Sequence, residues 1–146
     1  MIEIRRAADI EELKAMNRLY ADVFGDAFSY QGEPPSDGYL GRLLADPGFI
    51  ALAAWSSGKM VGALSAYELR KFEQERSEVY IYDLAVAEAF RRQGVATSLI
   101  ETLKPIARSL GAWVIFVQAD YVDEPAVALY EKLGTREEVL HFDISV

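Results

Sequence analysis

The sequence predicts an α/β fold (mixed α+β) in which helices flank a mixed central sheet, within a single domain spanning residues 1–146. One observation is that runs of β-branched and aromatic residues alternate with apolar residues at helical spacing. A second is the strand–helix–strand order between residues 79 and 119, which indicates a parallel pair of strands joined by a crossover helix. The third is the length of 146 residues, which suffices for one hydrophobic core and not for two.

The first half of the chain predicts a strand, two helices and a hairpin. Asp9 precedes an apolar helical pattern and fits an N-cap, and Ser36 or Asp37 fits the same position for a second helix. Between these helices, glycines and prolines favour a long loop. The predicted elements are strand 1–6, helix 10–21, loop 24–38, a helix ending at 44, and hairpin strands 49–55 and 60–69.

The second half is built around a long amphipathic helix, which Gly111 ends. Residues 113–119 are almost wholly apolar, which is typical of a strand buried on both faces. Pro125 fits the first turn of a further helix, which Gly134 ends. The predicted elements are strand 79–86, helix 95–110, strand 113–119, helix 125–133 and a last strand 138–144.

Composition excludes several classes of function. The net charge of −8 disfavours a nucleic-acid partner, because phosphate binding needs a basic face, but it is compatible with a cationic substrate. The chain has no apolar run of the ~20 residues needed to cross a bilayer, and because a strand pattern opens at Ile2 we expect no signal peptide. We therefore expect a cytoplasmic protein without a membrane partner. The absence of cysteine excludes a disulfide, a cysteine metal site and a cysteine nucleophile, and we expect no metal.

A basic loop with one glycine precedes the long helix, with the sequence Arg91-Arg92-Gln93-Gly94-Val95-Ala96. The first amide N–H groups of a helix have no helical partner, and the helix dipole is positive there. Gly94 removes a side chain that would block close approach, and the two arginines add positive charge. These features predict a phosphate-binding site, although neither G-x-x-x-x-G-K-[ST] nor G-x-G-x-x-G is present.

The pattern R-x-x-G-x-A follows a strand that ends Asp-Leu-Ala-Val, and AVALYEKLG comes later in the chain. This combination resembles the GNAT acetyltransferases, which use acetyl-coenzyme A. Over nearly the whole chain, longer strings are similar to the GNAT-type aminoglycoside 3-N-acetyltransferases: FIALAAW, VGALSAY, KFEQERSEVYIYDLAV, RRQGVATSLI, VQADYVDEPAVALYEKLG and REEVLHFDI. Asp123 departs from the Asn that many members carry, and loop 31–35 does not match.

The resemblance implies the GNAT acyltransferase fold and a coenzyme A site. The strand before the loop is expected to pair its backbone with the pantetheine arm, and the loop to hold the pyrophosphate. Tyr130 is expected to donate a proton to the departing thiolate, although its place on an apolar helix face is also typical of a core residue. The expected cofactor-binding residues are Leu84, Ala85, Val86, Arg91, Arg92, Gln93, Gly94, Val95, Ala96 and Thr97.

Asp83 is an acidic residue in an otherwise apolar strand. A buried carboxylate without a partner is costly, so a neighbouring group must satisfy it. One interpretation is a structural carboxylate bonded to nearby backbone or to Tyr82. Given the resemblance, we predict instead that Asp83 is catalytic and binds substrate, as general base or orienting charge for an amine. His141, the one histidine, is the second candidate base.

Acidic residues cluster in the last thirty positions. They fit either an ordinary solvated surface or a negative cleft that attracts a polycation. With the resemblance, Asp120 and Asp123 are predicted to bind substrate. The cluster comprises Asp120, Asp123, Glu124, Glu137 and Glu138.

The function predicted is acetyl-coenzyme A-dependent N-acetylation of the 3-amino group of aminoglycosides, which confers antibiotic resistance. Because the chain has no cysteine, the amine is expected to attack the thioester directly. One alternative is acetylation of another polyamine or a peptide amine, and another is a non-catalytic protein that binds coenzyme A or the drug. We expect a homodimer.

Overall fold

The computed structural model describes all 146 residues, which form two compact units, Met1–Phe116 and Val117–Val146. The first unit holds a sheet and four helices, and the second holds one helix. The strands are β1 (Glu3–Arg6), β2 (Phe49–Ser56), β3 (Lys59–Arg70), β4 (Ser77–Val86) and β5 (Ala112–Val117). The helices are α1 (Ile10–Phe24), α2 (Ala27–Gln31), α3 (Asp37–Ala45), α4 (Val95–Ser109) and α5 (Glu124–Leu133), with a 3-10 turn at Glu88–Phe90.

The sheet has five strands in the order β1-β2-β3-β4-β5. Strands β1 to β4 pair antiparallel through successive neighbours, and β5 lies beside β4 although α4 separates them in the chain. This arrangement confirms the predicted α/β architecture of a central sheet with flanking helices. It also places the loop before α4 directly after the end of β4.

Helices cover both faces of the sheet. On one face, α1 and α3 pack on small residues of β2, β3 and β4, which leaves room for the larger side chains of the helices. On the other face, α4 buries Val95, Leu99 and Leu103 against β2, β3 and β4, as its apolar stripe predicts. None of the helices has the length and apolar character that a membrane span requires.

The predicted loop 24–38 is partly helical, which corrects the sequence-based interpretation. The Asp26 side chain accepts a hydrogen bond of 3.0 Å from Ser29 N and so caps the short helix α2. Five residues are too few for an apolar period to be visible in the sequence. The N-caps predicted at Asp9 and Ser36 are confirmed, since their side chains accept from Glu12 N and Tyr39 N.

The prediction for strand 113–119 is wrong in one respect, because β5 is not buried on both faces. It ends at Val117, and Trp113 and Val114 remain 57% and 37% exposed. β5 is the last strand in the sheet order, so its apolar sequence does not indicate a central position. The guanidinium of Arg76 lies 4.0 Å from the ring centroid of Trp113 and covers part of that ring.

Residues 118–146 contain α5 and no strand, so the predicted last strand 138–144 is not formed. Asp123 caps α5 by accepting a hydrogen bond of 3.3 Å from Ala126 N. The alternating pattern of 138–144 is real, but a strand also needs a neighbouring strand to pair its backbone groups. The second unit offers none, and Leu140, Phe142 and Ile144 are exposed.

Candidate active site

A β-bulge determines where Asp83 points. Ser65 pairs with Asp83 and Ala66 with Ile81, so Tyr82 is an extra residue of β4 without a partner on β3. Successive side chains of a strand alternate between faces, and one extra residue reverses that alternation. The bulge therefore takes Asp83 off the face where Ile81 is buried and turns it toward α1 and α3.

On that side, Asp83 lines an open cavity of about 180 Å³ within the first unit. The cavity wall combines aromatic and aliphatic side chains with three polar groups, and Asp83 is its only charged residue. Pro35, from the loop that matched no family pattern, is part of the wall. The lining residues are Leu13, Met16, Asn17, Tyr20, Pro35, Tyr39, Leu40, Leu43, Phe49, Ser65, Tyr67 and Asp83.

The Asp83 carboxylate is held by a tyrosine from α2. The hydroxyl of Tyr30 donates a hydrogen bond of 2.6 Å to Asp83 Oδ1. Burial raises the pKa of Asp83, and the hydrogen bond from Tyr30 acts in the opposite direction because it stabilises the ionised form. The pKa of Tyr30 is itself raised, by burial and by that bond, so its hydroxyl keeps its proton. A carboxylate with a raised pKa in an apolar cavity suits the acceptance of a proton.

Several residues around Asp83 and β3 are not signalled by any motif of the sequence. Tyr20 donates a hydrogen bond of 3.2 Å to Ser65 Oγ, and Tyr67 stands beside Ser65 on β3. Tyr30 was missed because it falls in a stretch whose glycines and prolines predict a loop.

Gly62 could have been singled out from the sequence, since a glycine within a strand often marks a place where another backbone or a ligand approaches closely.

Gly62 allows α4 to begin close to the sheet. A Cβ at Gly62 would lie 3.1 Å from Val95 Cγ1 and 3.3 Å from Ala54 Cβ, which is tighter than ordinary packing. Val95 is the first residue of α4 and is buried. The absence of a side chain at Gly62 on β3 therefore lets the N-terminus of α4 pack closely against the sheet.

The residues predicted to bind phosphate, Arg91 to Thr97, lie at the end of the loop before α4 and in the first turn of that helix. Arg92 and Gly94 both adopt left-handed backbone conformations, with φ of 61° and 78°. The left-handed backbone at Gly94 directly precedes the first turn of α4, where unpaired backbone N–H groups suit an anion. The N-cap Gly94 offers no side chain to the first turn, so its N–H groups remain available to a ligand.

The arginines of this loop are exposed, and Arg91 Nε donates a hydrogen bond of 3.3 Å to Val86 O. A Cβ at Gly94 would meet no protein atom within 4 Å, so the space beside it is open. Positive charge, free N–H groups and open space together fit a pyrophosphate group. The predicted loop residues Arg91 to Thr97 thus lie together at one helix start.

Leu84, Ala85 and Val86 form the end of β4 and pair with Leu64, Ala63 and Gly62 of β3. Ala87 N continues this pairing with a hydrogen bond of 2.8 Å to Val61 O. The side of β4 toward β5 is where the expected contact with a pantetheine arm would form, and that contact remains a prediction.

The remaining predicted residues lie in the second unit. Tyr130 is on α5 and partly buried, and burial raises its pKa to about 12, with a smaller contribution from Asp123. A phenol with this pKa is protonated at neutral pH, as a proton donor must be. The Asp123 side chain caps α5, and Asp120 accepts a backbone hydrogen bond of 3.0 Å from Asp123 N.

Several other acidic residues of this unit form ion pairs or hydrogen bonds within it. Arg136 forms ion pairs of 2.8 Å with Glu131 and 3.2 Å with Glu138. The hydroxyl of Tyr121 also donates to Glu138. His141 is exposed and its Nε2 lies 2.8 Å from Asp143 Oδ1. No group of three or more His, Cys, Asp or Glu side chains has an arrangement that could hold a metal ion.

Known proteins resemble this chain over its whole length. The structure of an aminoglycoside acetyltransferase, HMB0005, from an uncultured soil metagenomic sample is 53% identical, with a TM-score of 0.97, covering 100% of this chain and 99% of that one. The structure of the aminoglycoside acetyltransferase meta-AAC0020 in complex with sisomicin, also from an uncultured soil metagenomic sample, is 31% identical. Its TM-score is 0.90, and the match covers 99% of this chain and 96% of that one.

Curated relatives match over shorter stretches. The probable N-acetyltransferase family 8 member 5 of Mus musculus is 26% identical over 93 residues, 64% of this chain and 41% of that protein. An N-alpha-acetyltransferase of Saccharolobus solfataricus is 36% identical over 59 residues, 40% of this chain and 35% of that protein. The chain thus spans about two fifths of the length of these relatives. The family model described as acetyltransferase (GNAT) family matches residues 13–135, and the chain belongs to this family.

Proposed function

We propose that this protein acetylates the 3-amino group of aminoglycoside antibiotics with acetyl-coenzyme A. The observation that carries the proposal is Asp83, the one charge in a tyrosine-lined cavity, where its pKa is raised by burial. Such a site attracts a cationic amine and can accept its proton. Two aminoglycoside acetyltransferases that resemble the chain over almost its full length support the choice of substrate class. The specific sequence strings support the 3-amino position.

Acetyl-coenzyme A, used throughout the GNAT family, supplies an acetyl group as a thioester. In our proposal Arg91, Arg92 and the N–H groups from Gly94 to Thr97 bind its pyrophosphate. Residues 84–86 hold its pantetheine arm, and their N–H groups stabilise negative charge on the thioester oxygen. These contacts place the thioester beside the acceptor amine, and orientation of this kind supplies much of the rate.

Asp83 accepts the proton of the attacking amine, while a C–N bond forms and the C–S bond breaks. Tyr130 gives its proton to the leaving sulfur. The sequence contains no cysteine that could carry the acetyl group, which supports direct attack. Asp120 and Asp123 bind further ammonium groups of the drug. The product amide has lost a positive charge and binds ribosomal RNA phosphates less well, which would confer resistance.

The direct test is thiol release with acetyl-coenzyme A and a panel of gentamicin, sisomicin, spermidine and an N-terminal peptide. We expect turnover with the two aminoglycosides and a product acetylated at the 3-amino nitrogen, located by NMR. Acetylation at the 6′-amino nitrogen would contradict the position, and release only with the polyamine or peptide would contradict the substrate class. Binding of acetyl-coenzyme A without thiol release would favour a protein that binds coenzyme A without catalysis.

A peptide amine is the second candidate acceptor. The N-alpha-acetyltransferase relative, 36% identical over 59 residues, favours a peptide amine over a polyamine such as spermidine. That match covers only 40% of this chain, whereas the aminoglycoside acetyltransferase structures match almost all of it. We therefore rank the drug amine first.

We further propose that residues 1–146 act as one domain, in the cytoplasm where acetyl-coenzyme A is made, and that the protein is a homodimer. The family model spans both compact units, which supports the single domain. The exposed apolar side chains between Val139 and Val146 support a second copy as the partner that covers them. Light scattering should give about twice the chain mass of 16.3 kDa, and a monomer would contradict the dimer. Calorimetry should show one unfolding transition.

A further inference from the structure

Tyr30 is fixed in place before any substrate arrives. Its ring centroid lies 5.6 Å from that of Tyr20 and 5.7 Å from that of Phe24. Its backbone belongs to α2, which Asp26 caps. The Asp26 side chain accepts a hydrogen bond from Ser29 N, and its backbone carbonyl accepts one from Tyr30 N. The 2.6 Å hydrogen bond to Asp83 Oδ1 therefore comes from a hydroxyl whose position is set by packing.

Asp83 is engaged on one oxygen only. The structure has one side-chain hydrogen bond to the carboxylate, at Oδ1, and Oδ2 accepts none from the protein. The side chains that face it carry no positive charge. The titratable groups around it are phenols: Tyr20 on α1, Tyr30 on α2, Tyr39 on α3 and Tyr67 on β3, with Tyr80 and Tyr82 on its own strand β4.

We propose that Tyr30 is a positioning residue that acts through Asp83: it holds Oδ1 and thereby presents Oδ2 to the acceptor amine. The inference rests on the proposed function, in which Asp83 takes the proton of that amine. It adds a residue from a segment that no sequence motif covers. It also divides the carboxylate into one oxygen for the protein and one for the substrate.

The charge balance around Asp83 gives Tyr30 a second effect. With no cation nearby, burial disfavours the ionised carboxylate, and the phenol is the group that stabilises it. A hydrogen bond to an ionised acceptor is stronger than one between neutral groups. Removal of the hydroxyl leaves the carboxylate both less well oriented and more readily protonated, and a protonated carboxyl cannot accept the amine proton.

The first test measures Asp83 itself, without turnover. In Tyr30→Phe, which keeps the ring and its aromatic contacts, the pKa of Asp83 should rise, as followed by NMR of ¹³C-labelled aspartate carboxyls. A ring-fluorinated tyrosine at position 30 is a better donor and should lower that pKa. An Asp83 pKa unchanged in both proteins would overturn the proposal, because packing alone would then explain the position of Tyr30.

The second test is kinetic. In Tyr30→Phe, the acid limb of kcat/KM for gentamicin should move to higher pH, and kcat should fall about tenfold, as expected for a lost bond to a charged group. KM for acetyl-coenzyme A should not change. Phe28→Tyr, at an exposed position of the same short helix, is the matched control and should retain the wild-type profile.

The two proposals fail in different ways. If wild-type protein acetylates gentamicin but Tyr30→Phe keeps its pH profile and kcat, only the role of Tyr30 is wrong. If wild-type protein releases no thiol with any aminoglycoside, the proposed function is wrong, and the NMR titration still reports whether Tyr30 holds Asp83.

Discussion

The pocket around Asp83 and the loop before α4 differ in what they present to a ligand. The pocket offers side chains, most of them apolar or phenolic, around one partly buried carboxylate. The loop offers backbone N–H groups, two left-handed residues and exposed arginines. The pKa of the carboxylate in the cavity depends on burial and on one neighbouring side chain. At the helix N-terminus, by contrast, the backbone N–H groups and the helix dipole themselves favour an anion. Substitutions in the two regions should therefore separate chemistry from cofactor binding.

The largest effect is expected at Asp83. Asp83→Asn keeps the shape and an acceptor for Tyr30 but removes the base. General-base catalysis is typically worth about 10²–10⁴ in rate, so kcat/KM for gentamicin should fall at least about a hundredfold. The affinity for acetyl-coenzyme A, measured by calorimetry, should stay nearly unchanged. Asp22→Asn, at an exposed site on α1, is the control. Activity within about threefold of wild type would make Asp83 structural and leave His141 or a glutamate as the candidate base.

At Gly94 we expect the opposite result, a loss of cofactor affinity. Gly94→Val places a branched side chain in the open space beside the loop and forces it into a left-handed backbone, with φ of 78°. Affinity for acetyl-coenzyme A should fall by about tenfold or more, which corresponds to one or two lost phosphate hydrogen bonds. Gly111→Val provides the matched control, since Gly111 has φ of 84° and the same open surroundings at the other end of α4.

Both variants carry the same backbone strain, so their loss of stability should be similar. Only Gly94→Val should weaken cofactor binding in isothermal titration. Equal affinity in the two folded variants would show that the phosphate does not lie against Gly94.

The comparison also explains what the sequence could reveal. The loop was predictable because Arg91, Arg92 and Gly94 are adjacent and their chemistry depends on a helix start, which the apolar period of α4 locates. The pocket was only partly predictable. Asp83 stands out as an acid in an apolar strand, but its direction depends on the bulge at Tyr82, which no residue type signals. Its partner Tyr30 comes from a helix too short to show a period.

The two wrong predictions near the C-terminal end, for β5 and for residues 138–144, have one cause. The sequences of β5 and of residues 138–144 report which side chains prefer burial, but not whether a neighbour is there to bury them. Trp113 is apolar yet exposed on the last strand of the sheet, and Phe142 is apolar yet unpaired. The local pattern predicts which side chains prefer burial, whereas strand pairing depends on the rest of the fold.

A smaller effect is expected from the acidic residues of the second unit. If Asp120 and Asp123 recruit a polycationic drug, kcat/KM should fall with added salt more steeply than cofactor affinity does, because exposed charges are screened. Asp123→Asn should flatten that salt dependence by a few-fold at low salt, while asparagine still caps α5. Asp22→Asn again serves as the control. A kcat/KM that does not respond to salt would assign these carboxylates to ordinary solvated surface.

The smallest effect, on stability, distinguishes a base from a structural carboxylate. Burial raises the pKa of Asp83 in the folded protein above its value in the unfolded chain. The folded state then binds more protons between the two pKa values, and stability decreases as pH rises through that window. At neutral pH the full cost of the buried charge is present, whereas below both pKa values it is absent.

Asp83→Asn removes this cost, so its Tm should exceed that of wild type at pH 7, and the difference should shrink as the pH falls through the acidic range. Asp22→Asn, which removes an exposed charge, should show no such dependence. A variant that is less stable than wild type at pH 7 would mean that the ionised carboxylate and its bond to Tyr30 stabilise the fold. Asp83 would then contribute to the stability of the fold, and the rate of Asp83→Asn would have to be expressed per folded molecule.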